Sequence, residues 1–426
     1  MGETGTQARS TVAQIGGPDS VLSDDQVRRF IRDQLDGAQL DGRSVCVVVP
    51  DATRSCPLPL LLTTIHEVLH ERVSRLTVLV ALGTHGPMSE QALAVHLGYP
   101  PGQMATRYPA TTILNHQWWD SSTFTDVGRI GATRIAQLSG GMLARGVQVR
   151  VNRAVVEHDM TLIVGPVFPH EVAGFSGGNK YLFPGVSGRE LIDMSHWLGA
   201  LITSADIIGT LGITPVRALI DEAATMLPGR RLALCVVTQS RTSRLHAMTF
   251  AEPQGAWAQA AQVSAQTHIR YLDAPVRRVL SLIPPKYDEM WTGAKGFYKV
   301  EPVVADGGQV VLFAPHIRDI ARTHPAIEKI GYHCRDYFLK QWDRFESEHW
   351  GDLAHSTHLR GAGTYDHDEG ERNRVTVTLA TAIGEQLTRA VNLDYLDPAS
   401  IDVDAWAGDP QTLVVADAGE DLYRLR

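Results

Sequence analysis

Cysteine is scarce in this sequence, and no apolar run is long enough to cross a bilayer. The four cysteines lie far apart with no CxxC pair, a pattern that favours reduced structural thiols over a disulfide framework or a zinc site. The N-terminus also lacks a basic start followed by an apolar stretch, so a secretory signal is not predicted. We therefore expect a cytoplasmic protein with no membrane partner.

A basic excess is absent as well. The 426 residues include 39 Lys and Arg against 47 Asp and Glu, which gives a formal net charge of -8, and basic residues form no run. Nucleic acid is therefore not an expected partner, because binding to a phosphate backbone needs a basic patch. Apolar residues make up 44% of the chain and charged residues 20%, as in ordinary globular proteins.

The pattern of apolar runs predicts an α/β fold. Runs rich in β-branched residues end in Gly, Pro or Asp, and predicted helices such as 57–72 and 89–97 lie between such runs. This alternation is typical of largely parallel sheets. The predicted strands are SVCVVVPD, RLTVLVALGTHG, MTLIVGPVFPH, RLALCVVTQ, RVLSLIPP and QVVLFAPH.

The chain is longer than a single core usually serves, so we predict two α/β domains with mainly parallel sheets and an active-site cleft between them. A polar stretch ahead of Ala274 sets the boundary, giving an N-terminal domain over 1–273 and a C-terminal domain over 274–399. The strand TLVVADA, in the last segment 400–426, is expected to return to the first domain. Residues 1–18 show no such pattern and are expected to be loose.

The segment 165–188, GPVFPHEVAGFSGGNKYLFPGVSG, follows a predicted strand and is rich in glycine. Glycines allow close backbone approach, and a lysine such as Lys180 beside them can meet a phosphate or form a covalent bond. The segment does not match the Walker pattern GxxxxGK[ST]. Composition alone therefore leaves open a phosphate-binding turn in which His170 only caps the chain.

Two other predicted strands end in residues suited to chemistry. His85 follows one of them in a glycine-containing loop, where its ring can face a cleft. Asp51 and Arg54 follow another, and an arginine fork there can hold a carboxylate or a phosphate. Each residue alone is compatible with a structural or solvated role, but ligands bind at strand ends in open α/β sheets, so the combination predicts a site.

His196 lies in RELIDMSHWLGAL, a predicted helix after the glycine loop. Imidazole is a favoured ligand for nickel and similar metals. A single histidine does not hold a metal by itself, so His196 is either a buried polar residue or a ligand whose partners come from a cofactor.

Taken in order, the motifs DxTR, GTH, PHxxAGFSGGxK, SH and AKG resemble those of the nickel-pincer-nucleotide-dependent lactate racemase family, which includes hydroxy-acid racemases and epimerases. The resemblance covers most of the chain and implies that the first domain binds nickel pyridinium-3,5-bisthiocarboxylic acid mononucleotide. It further implies that Lys180 is joined covalently to this cofactor and that His196 completes the nickel coordination. By the same resemblance, His85 and His170 are the two acid/base residues.

Other motif positions carry roles that the resemblance only outlines. Asp51 and Arg54 are expected either to contact the cofactor phosphate or to orient a catalytic histidine, and both readings stay open. Lys295 of the AKG motif is expected to hold a substrate carboxylate or polarise a carbonyl, unless it is a solvated surface lysine. The cofactor loop also contains Ser176, Gly177 and Gly178.

The implied reaction explains why two histidines are needed. Inverting a secondary alcohol carbon benefits from one base on each face of the substrate, and histidine can act as acid or base near neutral pH. By resemblance, one histidine takes the hydroxyl proton while the carbon-bound hydrogen leaves as hydride to the cofactor. The ketone then turns its other face and receives the hydride back.

The chain departs from the lactate racemase pattern where the substrate pocket is shaped. Trp291 and Thr292 stand in place of tyrosine and glutamine, and Gly86 stands in place of arginine. We therefore expect a larger or more polar 2-hydroxy acid, or a sugar acid, as substrate. His355 and His358 are candidate contacts for it, although the segment around them also fits a helix end with satisfied polar groups.

Two other functions are compatible with a nucleotide-binding α/β protein. A carrier that holds the nickel-pincer nucleotide without turnover would need only the lysine and phosphate contacts, so the presence of both His85 and His170 favours an enzyme. A pyridine-nucleotide dehydrogenase is disfavoured because no GxGxxG joins a strand to a helix. The expected partners are a small hydroxy acid or sugar acid and the enzymes that make the cofactor.

Overall fold

The computed structural model describes residues 12–426, and its largest sheet has seven strands. Four consecutive pairings across the sheet centre are parallel, and the two pairings at one edge are antiparallel. In spatial order the strands are Ala13–Gly16, Leu245–Ala251, Arg230–Thr238, Met160–Pro166, Ser44–Pro50, Arg75–Ala81 and Thr111–Asn115.

The central strands are apolar on both faces because both faces are covered. Alternate residues point to opposite faces of a strand, and they divide here between two hydrophobic clusters: Val47 and Val49 belong to one, Cys46 and Val48 to the other. The near-continuous apolar runs in the sequence follow from this double burial.

The second sheet has five strands, and all of its pairings are parallel. Its strands, in spatial order, are Asp394–Tyr395, Thr376–Thr381, Val304–Ala314, Val276–Leu282 and Thr412–Val415. We call the parts of the chain around the seven-stranded and five-stranded sheets the first and second units. The predicted α/β class with mainly parallel sheets is confirmed.

The end of the chain differs from the prediction. The strand Thr412–Val415, which contains the TLVV of TLVVADA, pairs with Val276–Leu282 in the second sheet, so its expected return to the first domain was wrong. The next strand, Leu422–Leu425, pairs instead with Ile269–Leu272, just before the proposed boundary. That boundary near residue 274 stays a prediction.

The expectation of a loose N-terminal segment was wrong for part of its length. Ala13–Gly16 forms an edge strand with Leu245–Ala251, while residues 1–11 lie outside the described part of the chain. Three further two-stranded sheets are antiparallel: Phe124–Ile130 with Val147–Asn152, Pro169–His170 with Gly174–Phe175, and Gly363–Asp366 with Gly370–Asn373.

Helices cover both faces of the sheets, and both helices predicted by range are present. Within residues 12–426, none is long and apolar enough to cross a membrane. The α-helices of the first unit are Asp24–Asp36, Leu58–Leu69, Glu90–Leu97, Met104–Arg107, Ala132–Leu138, Arg153–Val156, Arg189–Ile202, Ser204–Ile207, Pro215–Thr225 and Pro253–His268. Those of the second are Met290–Gly293, Lys295–Tyr298, Ile327–Ile330, Arg335–Leu339, Trp342–Phe345, Trp350–Arg360, Glu385–Ala390 and Val403–Ala407. Single 3-10 turns lie at Ser121–Thr123, Gly178–Tyr181, Glu301–Val303 and Pro398–Ser400.

Candidate active site

A cavity of about 130 Å³ lies between the two units. Its first wall is built at the carboxyl ends of three neighbouring parallel strands, Met160–Pro166, Ser44–Pro50 and Arg75–Ala81. Its second wall comes from segments of the second unit. The predicted site residues that line the cavity are Asp51, Arg54, His85, His170, Ser176, Gly177, Lys180, His196, Trp291, Lys295, His355 and His358.

Two predicted site residues do not line this cavity. The hydroxyl of Thr292 is buried and donates to the carbonyl of Glu289 at 3.2 Å, which makes it part of its own helical turn. Gly178 lies under Trp257: a Cβ at this position, whose φ is +57°, would be 2.8 Å from the Cβ of Trp257. Gly178 therefore shapes the loop from behind the cavity wall.

His85 is held by a carboxylate from the neighbouring strand end. Its Nδ1 donates to Asp51, whose other oxygen accepts from the Thr53 hydroxyl at 2.6 Å and the Thr53 N–H at 3.1 Å. Burial alone would raise the pKa of Asp51, but His85, Arg54 and Thr53 together hold it well below its usual value. The Asp51 carboxylate therefore stays charged, fixes the proton of His85 on Nδ1 and leaves Nε2 as a proton acceptor.

In His170 the roles of the two ring nitrogens are the reverse of those in His85. Its Nδ1 accepts a hydrogen bond from the backbone N–H of Val172 at 3.1 Å, so a neutral ring carries its proton on Nε2. Burial, followed by the charges of Lys180 and Arg54, holds the pKa of His170 well below its ordinary value. This histidine is therefore a neutral ring that presents an N–H.

The glycine loop places Lys180 in the same cavity. Gly177 has a φ of +88°, and a Cβ there would be 2.6 Å from a methyl group of Val167, so only glycine fits without movement. Burial, then the nearby Arg54 charge, lowers the pKa of Lys180 to about 7. Part of the Lys180 population is thus a neutral, nucleophilic amine near neutral pH.

A buried arginine that the sequence analysis missed supports this loop. Arg217 is 1% exposed, donates to the carbonyl of Gly177 at 3.0 Å and to that of Phe175, and stacks on Trp257 with 4.0 Å from its guanidinium carbon to the ring centre. Nothing in the local sequence marks Arg217, because its partners lie about 40 residues earlier in the chain.

His196 has the orientation of a metal ligand. It lies on the helix Arg189–Ile202, and its Nδ1 donates to the carbonyl of Ile192 at 2.7 Å. This contact fixes the tautomer that keeps the Nε2 lone pair free, as in many metal-bound histidines. Burial, then the Lys180 charge, lowers the pKa of His196 to about 4, so the ring is neutral at physiological pH.

The second unit contributes Lys295, Trp291 and two histidines to the opposite wall. Lys295 is 7% exposed rather than solvated, and burial, then the Arg54 charge, lowers its pKa to about 7. His355 and His358 lie on the helix Trp350–Arg360, and His355 stacks on Trp291 with 3.9 Å between ring centres. Neither ring nitrogen of His358 has a hydrogen-bond partner among residues 12–426.

An unpartnered, buried imidazole in a cavity wall points to a ligand, because leaving such a group unsatisfied costs about 1–3 kcal/mol. The helix that carries His355 and His358 is continuous through both residues. The alternative of a helix end with satisfied polar groups therefore does not describe His358.

Three more residues belong to this site although the sequence analysis did not select them. Glu171 and Tyr298 line the cavity, and Lys299 lies beside it. Burial would raise the pKa of Glu171, but His358 and Lys295 lower it below its usual value. Their positions next to His170 and just after the AKG motif were the available signal.

Cationic side chains outnumber anionic ones around the cavity. Arg54, Lys180 and Lys295 line it together with Asp51 and Glu171. The Asp51 carboxylate is already engaged by His85 and Thr53. This arrangement suits an anionic ligand, such as a carboxylate or a phosphate.

The comparisons with known proteins agree with this geometry. Residues 26–207 match the family model described as the lactate racemase N-terminal domain. The lactate racemase of Thermoanaerobacterium thermosaccharolyticum is 25% identical over 188 residues, which is 42% of this chain and 39% of that protein. The lactate racemase of Lactiplantibacillus plantarum is 26% identical over 168 residues, or 38% of this chain and 35% of that protein. The aligned part therefore spans less than two fifths of the length of these curated relatives.

Solved structures extend the likeness to the whole chain. A crystal structure of a protein from Thermotoga maritima has a TM-score of 0.88 and 30% identity, covering 97% of this chain and 100% of that one. The lactate racemase apoprotein from Thermoanaerobacterium thermosaccharolyticum has a TM-score of 0.70 at 18% identity with the same coverage, which shows a shared fold. Residues 26–207 are therefore similar to the lactate racemase N-terminal domain, and the whole chain shares the fold of the lactate racemase apoprotein.

Proposed function

We propose that this protein is a racemase or epimerase that inverts a hydroxyl-bearing carbon of a 2-hydroxy acid or sugar acid. One observation carries the proposal: His85 and His170, with opposite ring polarisation, line one cavity together with Lys180 and His196. Such a reaction needs a base for the hydroxyl proton and a hydrogen-bond donor for the oxygen, and this complementary pair supplies both.

His85 is the base in the state that the structure describes. Its Nε2 takes the hydroxyl proton as the carbon-bound hydrogen departs, and the Asp51 carboxylate stabilises the imidazolium that forms. Of the two roles left open for Asp51, its bond to His85 supports orientation of the catalytic histidine. Arg54 retains the role of anion contact because its guanidinium lines the cavity.

His170 assists the same reaction from its own side of the cavity. Its Nε2–H donates a hydrogen bond to the substrate oxygen but keeps its proton, because a neutral imidazole N–H is too weak an acid to release it near neutral pH. The proton that His85 took returns to the oxygen as hydrogen returns to the carbon, so both rings are neutral again at the end of a turnover. Burial keeps His170 in the neutral form that this hydrogen bond requires.

The residues present fit a nickel-pincer nucleotide. Lys180, with its lowered pKa, would form the covalent link, the free Nε2 of His196 would bind nickel, and Arg54 with the backbone N–H of Gly177 would receive the phosphate. When bound, the cofactor supplies a hydride acceptor and donor. Within residues 12–426, no group of three or more His, Cys, Asp or Glu could hold a metal.

The second wall supports a substrate with a carboxylate and further polar groups. Lys295 would bind the carboxylate, and His355 and the unpartnered His358 would bind hydroxyl groups. Trp291 contributes its ring edge, because its faces stack on His324 and His355. Thr292, which faces its own helix turn, is not included in this set.

The test uses protein produced together with the enzymes that make the cofactor. We expect a covalent adduct on Lys180 by peptide mass mapping, about one nickel per chain, and inversion of at least one member of a panel of 2-hydroxy acids and sugar acids. His85→Ala and His170→Ala should keep the adduct and lose inversion by about 10²–10⁴-fold, whereas Lys180→Ala should lose the adduct.

Asp51→Asn separates the two roles of Asp51, since it should keep the adduct and the nickel but lower turnover. A loaded protein that inverts no member of the panel would favour the carrier function instead. An unmodified, metal-free chain under conditions that load a known lactate racemase would contradict the cofactor assignment.

A further inference from the structure

A column of four stacked rings crosses from the first unit into the second beside the cavity. Trp118 is followed by His324, Trp291 and His355, with 5.8, 3.8 and 3.9 Å between successive ring centres. His324 is 5% exposed. From its contacts we infer that His324 is a positioning residue that holds the His85 loop in its catalytic place from the opposite unit.

Each ring nitrogen of His324 faces an oxygen that accepts hydrogen bonds, and both contacts are donated at once only when the ring carries two N–H groups. Nε2 lies 3.2 Å from the carbonyl of Thr84 in the first unit, and Nδ1 lies 3.0 Å from the carboxylate of Asp352 in the second. Asp352 is itself buried, with 3% of its surface exposed. Any flat ring could stack between Trp118 and Trp291. The two polar contacts are specific to His324, and they give the link between the units a direction.

The link acts on the peptide planes that flank His85. The carbonyl of Thr84 belongs to the plane before His85, and the carbonyl of His85, which belongs to the plane after it, accepts from the indole N–H of Trp118 at 2.9 Å. Because a peptide unit is planar, holding both planes limits the direction of the Cα–Cβ bond of His85, while Asp51 orients its ring. A base that is misplaced by about 1 Å loses on the order of 10²-fold in rate.

The same link couples the two cavity walls. Asp352 lies on the helix Trp350–Arg360, three residues before His355 and six before His358. A movement of that helix therefore moves the carboxylate that orients His324 and, through it, the Thr84 carbonyl. The position of His85 therefore depends on where the second unit lies relative to the first.

This inference rests on the proposed function only for the role of His85, and its first test does not use activity. Amide hydrogen–deuterium exchange is measured in the purified, unloaded protein over 82–88, where the N–H of His85 donates to the Leu82 carbonyl and that of Gly83 to the Gly185 carbonyl, both at 2.9 Å. His324→Phe keeps a flat ring and removes both polar contacts. We expect exchange in this segment to rise by at least about tenfold.

Two further variants separate positioning from packing. The amide of glutamine can replace the Nε2 contact to Thr84, so His324→Gln should restore most of the protection. His333→Phe is the matched control, because His333 also pairs with a carboxylate, Glu371 at 2.9 Å, and stacks on Tyr337 at 3.7 Å, but does not line the cavity. It should leave exchange over 82–88 unchanged.

Exchange over 174–182, the glycine loop, reports whether each variant is folded and should be the same in all of them. In loaded enzyme, His324→Phe should lower kcat by about 10–100-fold with little change in KM. Unchanged protection over 82–88 in a folded His324→Phe protein would overturn the inference. An equal loss of amide protection over 82–88 in His333→Phe would also overturn the inference. A protein that shows the exchange pattern but no inversion would contradict the proposed function alone.

Discussion

At the scale of single residues, the chemistry depends on which nitrogen of each histidine the protein engages. Asp51 makes Nδ1 of His85 a donor, and the Val172 N–H makes Nδ1 of His170 an acceptor. The sequence analysis predicted both histidines, since the motifs place them at strand ends. It did not predict their polarisation, because Asp51 is 34 residues from His85 and the Val172 contact is a feature of backbone geometry.

The neutral fraction of Lys180 can be tested by its reactivity. Its pKa of about 7, set first by burial and then by Arg54, leaves a large neutral fraction above pH 7, whereas an ordinary lysine with a pKa near 10.4 is almost fully charged there. Reductive methylation of the unloaded protein at pH 7.5, mapped by peptide mass, should therefore modify Lys180 at least about tenfold faster than the exposed Lys329. The rate of modification at Lys180 itself should fall as the pH is lowered to 6, because most of its population is then charged. Faster modification of Lys329 throughout would show that Lys180 is not activated.

At the scale of elements, parallel strand ends and glycine-rich turns position the site. The predicted strands before Asp51, His85 and His170 are all present and adjacent, because apolar runs bounded by turn residues record local structure directly. The support behind the glycine loop was not predictable in this way. Arg217 and Trp257 come from two later helices, and only the folded chain brings them against Gly177 and Gly178.

Replacing Arg217 tests this support. Arg217→Leu removes the charged donor from the buried carbonyls of Phe175 and Gly177, and within residues 12–426 Gly177 keeps only the N–H of Lys180 at 3.3 Å. We expect the free energy of unfolding to fall by about 2–4 kcal/mol in urea titrations. The matched control is Arg134→Leu, because Arg134 forms an exposed ion pair with Glu222 on the same helix as Arg217. This control should barely move the unfolding midpoint. Similar losses in both variants would mean that Arg217 is not a specific support.

At the scale of the whole molecule, one hydrophobic cluster runs through both units. It contains Val167 and Phe175 of the first unit together with Val279 and Phe297 of the second. The prediction of two α/β domains followed from length and from the fresh strand and helix series after residue 274. The contribution of Thr412–Val415 to the second sheet was missed, because a short apolar strand carries no signal for which sheet it joins.

Buried neutral histidines predict how the whole molecule responds to acid. Burial lowers the pKa of His116 and of His268 to about 4, whereas the unfolded chain has values near 6.5. Between pH 6.5 and 4 the unfolded state binds more protons than the folded state. The free energy of unfolding therefore has its full value above pH 6.5 and falls as the pH approaches 4. Each histidine should contribute on the order of 1 kcal/mol to the loss.

Thermal unfolding midpoints at pH 7.5 and pH 5 measure this response. His268→Gln should reduce the difference between the two pH values, because one buried imidazole no longer titrates on unfolding. His367 is exposed, so His367→Gln should leave the difference between the two midpoints unchanged. A difference that is the same in wild type and His268→Gln would contradict the assigned direction for His268.

The most direct test of the central claim is inversion in D2O. Cofactor-loaded protein is given one enantiomer of a hydroxy acid that it inverts, and the product is examined by NMR for deuterium at the inverted carbon. We predict inversion with carbon-bound protium retained, because the histidines act only on the hydroxyl proton and the carbon-bound hydrogen returns as hydride. Deuterium at that carbon would contradict it, since it would mean that a histidine removes the carbon-bound hydrogen as a proton and exchanges it with solvent.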